Sequence, residues 1–204
     1  MRPRIFSSLP VRLLFQPSAV FAELSEARPS PLSVFLRIVL WMAAMPPLFA
    51  YIGASEFGWR LGAREPLYLP DAQLAAISIG YFLVLLFGFV STAVIARWMA
   101  STYGARHSLG IHFAMVTIIG APLVVGSVIH LFPHVFINII VLVPALIWSM
   151  YLLFRGLPVV LRISPERGML MASSIIAYLL VAAVSLLGLS VMLWGQGIGP
   201  SIGI

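Results

Sequence analysis

Two long apolar stretches joined by one short connection constrain the fold of this 204-residue chain more than any other feature. Residues 109–131 and 135–154 contain no Asp, Glu, Lys or Arg, and each is long enough to cross a ~30 Å hydrocarbon layer as a helix. Pro122 and Pro144 lie eleven residues on either side of Pro133 in the connection, about 16 Å along each helix. The sequence therefore predicts a membrane hairpin whose two prolines lie at similar, middle depth on adjacent antiparallel helices.

The composition extends this prediction to the whole chain. Hydrophobic residues make up 61% and charged residues 9%, against about 25% charged residues in soluble domains. Lipid is therefore the expected solvent, and we predict an all-α integral membrane protein with a five-transmembrane-helix bundle at residues 33–195. The five predicted spans are residues 34–53, 73–99, 109–131, 135–154 and 168–194.

The arginines predict how this bundle is oriented. All twelve basic residues are Arg, and five spans place ten of them on one side of the membrane and only Arg60 and Arg64 on the other. Cytoplasmic segments of membrane proteins carry the excess of basic residues. The predicted N-terminus is therefore cytoplasmic, and the predicted C-terminus lies on the periplasmic side.

The two ends of the chain differ in character. Residues 1–32 alternate arginines with apolar side chains, which predicts an amphipathic segment at the lipid headgroups containing a short interfacial helix, 19–27, capped by Ser18. A disordered basic tail is the alternative. Residues 196–204 form a Gly-rich tail. Seven arginines are predicted to contact lipid headgroups: Arg2, Arg4, Arg12, Arg37, Arg97, Arg155 and Arg162.

Helix-breaking and polar residues inside the spans are the candidate structural or cavity-lining positions. They are Pro46, Pro47, Gly120, Pro122, Gly126, Asn138 and Pro144. Each interior proline frees a carbonyl, and Thr117, Ser127, Asn138 and Ser149 are near enough in sequence to satisfy such groups. These residues either form a mobile hairpin lining a cavity or only set a helix crossing angle. Asn138 either joins helices or binds a substrate.

Several classes of function lack the residues that they need. Without Cys there is neither a disulfide framework nor a thiolate metal site, and His130 and His134 have metal-ligand spacing that Pro133 interrupts. No span interior holds an Asp, Glu or Lys, which argues against ion-coupled transport. No nucleophile with its base and no paired carboxylates are evident. We expect no enzyme activity, cofactor, metal or nucleic-acid partner.

Short motifs in a fixed order resemble the Yip family of membrane proteins. They are Phe15-Gln-Pro17, Ala43-Ala-Met-Pro-Pro47, Tyr51-Ile-Gly53, Phe57-Gly-Trp59, Gly120-Ala-Pro122, Tyr151-Leu-Leu-Phe-Arg-Gly-Leu-Pro158 and Ser164-Pro-Glu-Arg-Gly168. The resemblance, to the bacterial branch, implies a five-span protein of a bacterial inner membrane with a cytoplasmic N-terminus. Eukaryotic members associate with Rab GTPases, but this sequence lacks their long N-terminal region and Asp-Leu-Tyr-Gly-Pro type motif. A GTPase partner is therefore not expected.

Two functions follow as hypotheses. The first is association with membrane lipids through their anionic headgroups, with a second copy of the chain, or with another membrane protein. The alternative is a passive channel or carrier for a neutral or lipid-like solute, with a cavity touching Pro47, Pro122, Asn138 and Pro144.

Overall fold

A computed structural model describes residues 12–13, 15–60, 65–105 and 107–195 of the chain. Within these ranges the fold is a helical bundle in which five helices are long and apolar enough to cross a membrane. The short helix α1 precedes them, and isolated bridges are the only extended pairings in the described part. The bounds are α1 Pro17–Glu26, α2 Pro31–Phe57, α3 Asp71–Thr102, α4 Leu109–Gly126, α5 Val135–Leu161 and α6 Pro165–Gly195.

The predicted all-α, five-span architecture is confirmed, while the helices extend beyond several predicted spans. The largest extension is in α5, which continues seven residues past 154 to Leu161 and ends with Arg162 in a left-handed conformation at φ 53°. The extra residues pack against α1, so tertiary contact rather than span length sets this helix end. A π-helical turn, Phe35–Val39, lies inside α2 and contains Arg37.

The cap predicted for α1 is wrong, and α6 begins three residues before its predicted span at 168. Helix α1 begins at Pro17, so Ser18 lies inside its first turn instead of before it. Proline suits this position because the first N–H groups of a helix have no internal partner. At α6, Pro165 is the first residue and the Arg167 amide points to the Ser164 hydroxyl at 3.5 Å.

Close approach between backbones joins α2 to the hairpin formed by α4 and α5. A Cβ built on Gly53 of α2 would overlap the carbonyl oxygen of His130 and lie 2.8 Å from that of Leu131. His130 and Leu131 belong to a 3-10 turn, Ser127–Leu131, that continues α4. Only a residue without a side chain lets α2 lie this close to the hairpin turn.

The connection between α2 and α3 crosses over the same turn. Trp59 and Leu67 exchange two backbone hydrogen bonds of 2.8 Å, and the Arg60 amide donates to the Pro133 carbonyl at 2.9 Å. Gly58 begins the crossing with φ 67°, a conformation that glycine adopts without strain. We call this end of the bundle the hairpin face, and the opposite end, which contains Arg37, Arg97, Arg155 and Arg162, the arginine-rich face.

Helix α1 is packed on protein at the arginine-rich face. Its buried side chains Val20, Phe21 and Leu24 belong to the same core as Leu152 and Leu157 of α5. The apolar side chains Leu13, Val20, Phe21 and Leu24 therefore pack on protein and not on lipid, whereas Phe15 is exposed, and the position of the segment at the headgroups stays a prediction. Residues 1–11, including Arg2 and Arg4, lie outside the described part, as does the predicted tail 196–204.

Two of the predicted headgroup arginines have acidic partners in the protein. Arg12 pairs with Glu23, and Arg162 pairs with Glu26, which joins α1 to the end of α5. The hydrogen bond between Arg12 and Glu23 lowers the pKa of the Glu23 carboxyl and raises the pKa of the Arg12 guanidinium. The side chains of Arg37, Arg97 and Arg155 are exposed at the same face.

Candidate binding cavity at the hairpin face

A cavity of about 520 Å³ lies between four helices at the hairpin face. Helices α2, α3, α4 and α5 all contribute to its wall, and Trp59 and Pro133 come from the two connections. The lining residues are Ala50, Trp59, Leu74, Ile77, Ser78, Tyr81, Leu123, His130, Pro133, Val135, Asn138, Ile139, Leu142, Val143 and Leu146. None of these residues is an Asp, Glu, Lys or Arg, so the described lining carries no charge while its histidine is neutral.

The cavity extends from the hairpin face toward the middle of the bundle. Its α5 wall runs from Val135 to Leu146, twelve residues whose eleven helical steps span about 16 Å. A hydrocarbon layer is ~30 Å thick, so the deep end lies about halfway across it. Apolar residues such as Leu123, Leu142 and Leu146 line this deep end, whereas the polar side chains lie nearer the hairpin turn.

The polar side chains of the cavity form a hydrogen-bonded chain. His130 Nδ1 lies 2.6 Å from Asn138 Oδ1, and Asn138 Nδ2 donates to the carbonyls of Phe132 and His134, both at 2.9 Å. The Tyr81 hydroxyl lies 3.4 Å from His130 Nε2. Asn138 therefore ties the first turn of α5 to the hairpin connection and to the end of α4.

This chain of contacts fixes the tautomer of the neutral His130 ring. Because both Asn138 Nδ2 hydrogens are directed at backbone carbonyls, the other amide atom is the oxygen, which can only accept. His130 Nδ1 must then carry a hydrogen and donate it to Asn138. The second ring nitrogen, Nε2, consequently presents a lone pair, and the Tyr81 hydroxyl is the donor that faces it.

Of the seven residues predicted to line a cavity or shape the spans, only Asn138 lines this cavity. Pro46 and Pro47 are buried inside α2, Pro122 is half-buried, and Pro144 is exposed on the outer surface of α5. Gly120 and Gly126 are contact points: a Cβ at Gly120 would lie 3.1 Å from the Phe89 ring, and one at Gly126 would lie 3.3 Å from Ala145 Cβ. The second contact places Pro144 closer to the level of Gly126 than to that of Pro122.

The prediction that nearby hydroxyls bond to the carbonyls freed by the prolines is wrong for Thr117 and Ser127. Thr117 donates to the Ala114 carbonyl at 2.8 Å and Ser127 to the Val124 carbonyl at 2.6 Å, both within their own helix. A hydroxyl in a helix has such a carbonyl within reach, so the local bond forms first. Asn138 bonds to the hairpin connection, and the buried Ser149 hydroxyl has no partner among the described residues.

Sequence reasoning missed Tyr81, Ser78 and Trp59. Tyr81 and Ser78 are three residues apart on α3 and so share one helix face, and both line the cavity. A phenol in the middle of an apolar span was a usable signal, because a hydroxyl in lipid needs a hydrogen-bond partner. His130 was considered only as one of a metal-ligand pair. In the structure it faces Asn138 and Tyr81, while the ring of His134 packs on Phe136.

A second group of polar side chains lies at the arginine-rich face. His112 is completely buried, and its Nδ1 donates to the Ser108 carbonyl at 3.0 Å. His107 lies in the connection before α4, and its buried Nδ1 has no partner among the described residues. Burial first, and the positive charge of Arg162 second, lower the pKa of His107, which favours the neutral ring.

Comparison with known proteins identifies the family. A profile of the Yip1 domain matches residues 11–186 of the chain. The inner membrane protein YohC of Escherichia coli K12 and that of Escherichia coli O6:H1 are each 33% identical over 159 residues, which cover 78% of this chain and 82% of the relative. No solved structure matches the chain. With its five membrane-spanning helices, the chain is a multi-pass inner-membrane protein that belongs to the Yip1 domain family.

Proposed function

We propose that this protein works by non-covalent association in the membrane, with the cavity at the hairpin face as its binding site. The observation that supports this proposal is a space of about 520 Å³ that residues of four spans line without an Asp, Glu, Lys or Arg. Ligand sites in proteins have volumes of about 300–1,000 Å³, mostly apolar walls and a few convergent polar groups. The lining residues are suited to select which molecule binds in the cavity. They are not suited to perform a reaction there.

The lining of the cavity favours a lipid as its occupant. It is mostly apolar, with the polar side chains near the hairpin turn, which suits a molecule with one polar end and a hydrocarbon chain. Lipid is also the solvent around the bundle, so a lipid chain reaches the cavity without any carrier. Association with another membrane protein would then use the outer surfaces of the helices.

The experiment is retention of lipid by the intact protein in native nanodiscs, measured by mass spectrometry. Ala50→Trp places a large side chain in the cavity, and Ile140→Trp places the same side chain on the surface of α5, where Ile140 is 70% exposed. We expect the first variant to release a lipid that the second retains. Ile77→Trp, at another lining position, repeats the test if Ala50→Trp does not fold. A protein purified as a monomer without any lipid or protein would contradict the proposal.

A passive channel or carrier for a neutral or lipid-like solute is the second proposed function. The observation in its favour is that Asn138 lines the cavity as such a path requires. The described cavity does not include Pro47, Pro122 or Pro144, which were the other three predicted lining residues. Flux of a fluorescent lipid across proteoliposomes that depends on Asn138 would support the carrier, whereas lipid retention without flux supports association alone.

We also propose that the arginine-rich face lies in the cytoplasm. Ten of the twelve arginines of the chain belong to this side in a five-span topology. The positive-inside tendency of membrane proteins supports this orientation.

A further inference from the structure

We infer that the cavity is a site for an uncharged lipid that carries a free hydroxyl group, recognised by His130 and Tyr81. The hydrocarbon chain of the lipid lies along the α5 wall toward Leu142 and Leu146. This inference rests on the proposed function and narrows it from lipids in general to one chemical class.

The first step is the absence of charge among the lining residues. An ionised headgroup placed in the cavity leaves water without gaining a partner of opposite charge, which costs free energy. Three exposed arginines available to anionic headgroups, Arg37, Arg97 and Arg155, lie at the opposite end of the bundle, and the exposed Arg60 of the connection over the hairpin turn is not among the lining residues. The cavity therefore selects against phospholipids with anionic headgroups and in favour of uncharged molecules.

The second step is the direction of the hydrogen bonds. Because His130 Nδ1 donates to Asn138, His130 Nε2 is an acceptor held in a fixed position. Its bond to the Tyr81 hydroxyl is 3.4 Å, longer than the usual 2.7–3.2 Å of a strong hydrogen bond. An acceptor that is weakly satisfied needs a donor, and a lipid hydroxyl supplies one, whereas an ester or an ether cannot.

The third step concerns the Tyr81 hydroxyl, which is the other partner in the contact with His130 Nε2. When a ligand hydroxyl donates to His130 Nε2, its oxygen keeps lone pairs for the Tyr81 hydroxyl, which is then free to donate to it. Ser78, one turn before Tyr81 on the same face of α3, also lines the cavity. It offers a further donor or acceptor beside the first. An alcohol is the simplest uncharged group that satisfies all three side chains.

The fourth step is orientation. The polar residues His130 and Asn138 belong to the hairpin turn and the first turn of α5, while the apolar wall continues to Leu146, about 16 Å along the helix from Val135. A lipid with a polar end and a hydrocarbon chain matches this gradient in one direction only. Its hydroxyl lies near the membrane surface and its chain lies at depth, as in the surrounding leaflet.

The test uses the full chain in vesicles of phosphatidylethanolamine with a diazirine-bearing diacylglycerol as the probe. Two matched probes carry the same chains: the acetylated diacylglycerol, which is uncharged without a hydroxyl, and phosphatidic acid, which is anionic. After illumination, labelled peptides are mapped by mass spectrometry. We expect diacylglycerol to label residues 74–81 and 135–146 more than the outer surface of α6, and the two other probes to label these segments less.

The protein variants identify the residues responsible. Ser78→Ala with Tyr81→Phe removes both hydroxyls of the cavity, and we expect roughly twofold to tenfold less labelling for each hydrogen bond lost. The matched control is Ser91→Ala with Tyr178→Phe, because the Tyr178 hydroxyl donates to Ser91 at 2.7 Å outside the cavity. Thermal unfolding of both double variants verifies that each one folds.

The outcomes separate the inference from the proposed function. Equal labelling of the cavity by all three probes, or labelling unchanged by the Ser78 and Tyr81 substitutions, overturns the hydroxyl selectivity while lipid association stands. Labelling of the cavity no stronger than that of α6, for every probe, overturns both. Preference for diacylglycerol that is lost only in the cavity double variant supports both.

Discussion

The aromatic ring of Phe21 lies where a side chain at position 156 would be. A Cβ built on Gly156 of α5 would come within 2.6 Å of two carbons of this ring, and Phe21 itself is completely buried. Because Gly156 has no side chain, α5 has a space there, which we call the slot. The Phe21 ring fills this slot and so holds α1 on the bundle. Glu26 at the end of α1 pairs with Arg162 beyond the end of α5, which fastens the same helix at a second point.

Gly156→Ala should release α1 from the bundle. The added methyl group overlaps the Phe21 ring, and overpacking of this kind costs about 1–3 kcal/mol. We expect faster cleavage after Glu26, at the end of α1, by a glutamate-specific protease, measured by the rate of appearance of the shortened chain. Gly188→Ala is the control, since a Cβ there meets nothing within 4 Å. The pair Phe21→Leu with Gly156→Ala should recover part of the protection, and no recovery would argue against the slot.

Gly53→Ala should destabilise the contact between α2 and the hairpin turn. Here the obstacle is the backbone of His130 and Leu131, which cannot rotate away as a side chain does, so we expect a loss of at least about 1–3 kcal/mol. The measurement is thermal unfolding in detergent. Gly80→Ala, at an open position in α3, should leave the unfolding temperature unchanged or raise it. Equal behaviour of the two variants would contradict the close approach.

Asn138→Leu should loosen the hairpin turn. It removes the donor to the carbonyls of Phe132 and His134 and the acceptor of His130 Nδ1. Each polar group left unsatisfied in a buried site costs about 1–3 kcal/mol. Hydrogen exchange at 132–138 should accelerate. Ser174→Ala is the control, because that serine only bonds to a carbonyl of its own helix. Unchanged exchange in Asn138→Leu would mean that the amide does not hold the turn.

The stability of the bundle should fall as the pH decreases below the ordinary His107 pKa of 6.5. Burial and Arg162 lower the pKa of His107 in the folded chain, so the unfolded chain takes up its proton first. The neutral His107 ring therefore contributes its full stabilisation above pH 6.5. This contribution is lost as the pH falls through the lowered pKa of His107 in the folded chain. Titration of the His107 resonance by NMR checks the direction. His107→Gln should reduce the decrease in unfolding temperature between pH 7.5 and 5, and a larger decrease would refute this.

Single cysteines should report the orientation without interference, because the chain contains no Cys. Tyr68→Cys lies in the exposed connection at the hairpin face, and Ser101→Cys lies at the exposed end of α3 at the other face. With the arginine-rich face in the cytoplasm, an impermeant maleimide should label the first variant from the periplasm. It should label the second only after the inner membrane is broken. The reverse pattern would refute the proposed orientation.

The sequence alone determined the number of spans and the fold class. Long runs without charged residues must be helical in lipid, because every backbone group needs an internal partner there. That constraint is local, and the structure has helices over all five predicted spans. The same reasoning placed the turn between α4 and α5 correctly, since Pro133 and the two histidines interrupt the apolar pattern.

Tertiary structure decided what the polar and small residues do. In the sequence, Asn138 is an isolated amide. In the fold its side chain bonds to His130, and His130 in turn contacts Tyr81, which lies 49 residues before His130 in the chain. Gly156 and Phe21 show the same limit, because 135 residues separate the slot from the ring that fills it. Hydropathy depends on neighbours in the chain, whereas a cavity depends on which helices pack side by side, and that is settled by contacts between distant residues.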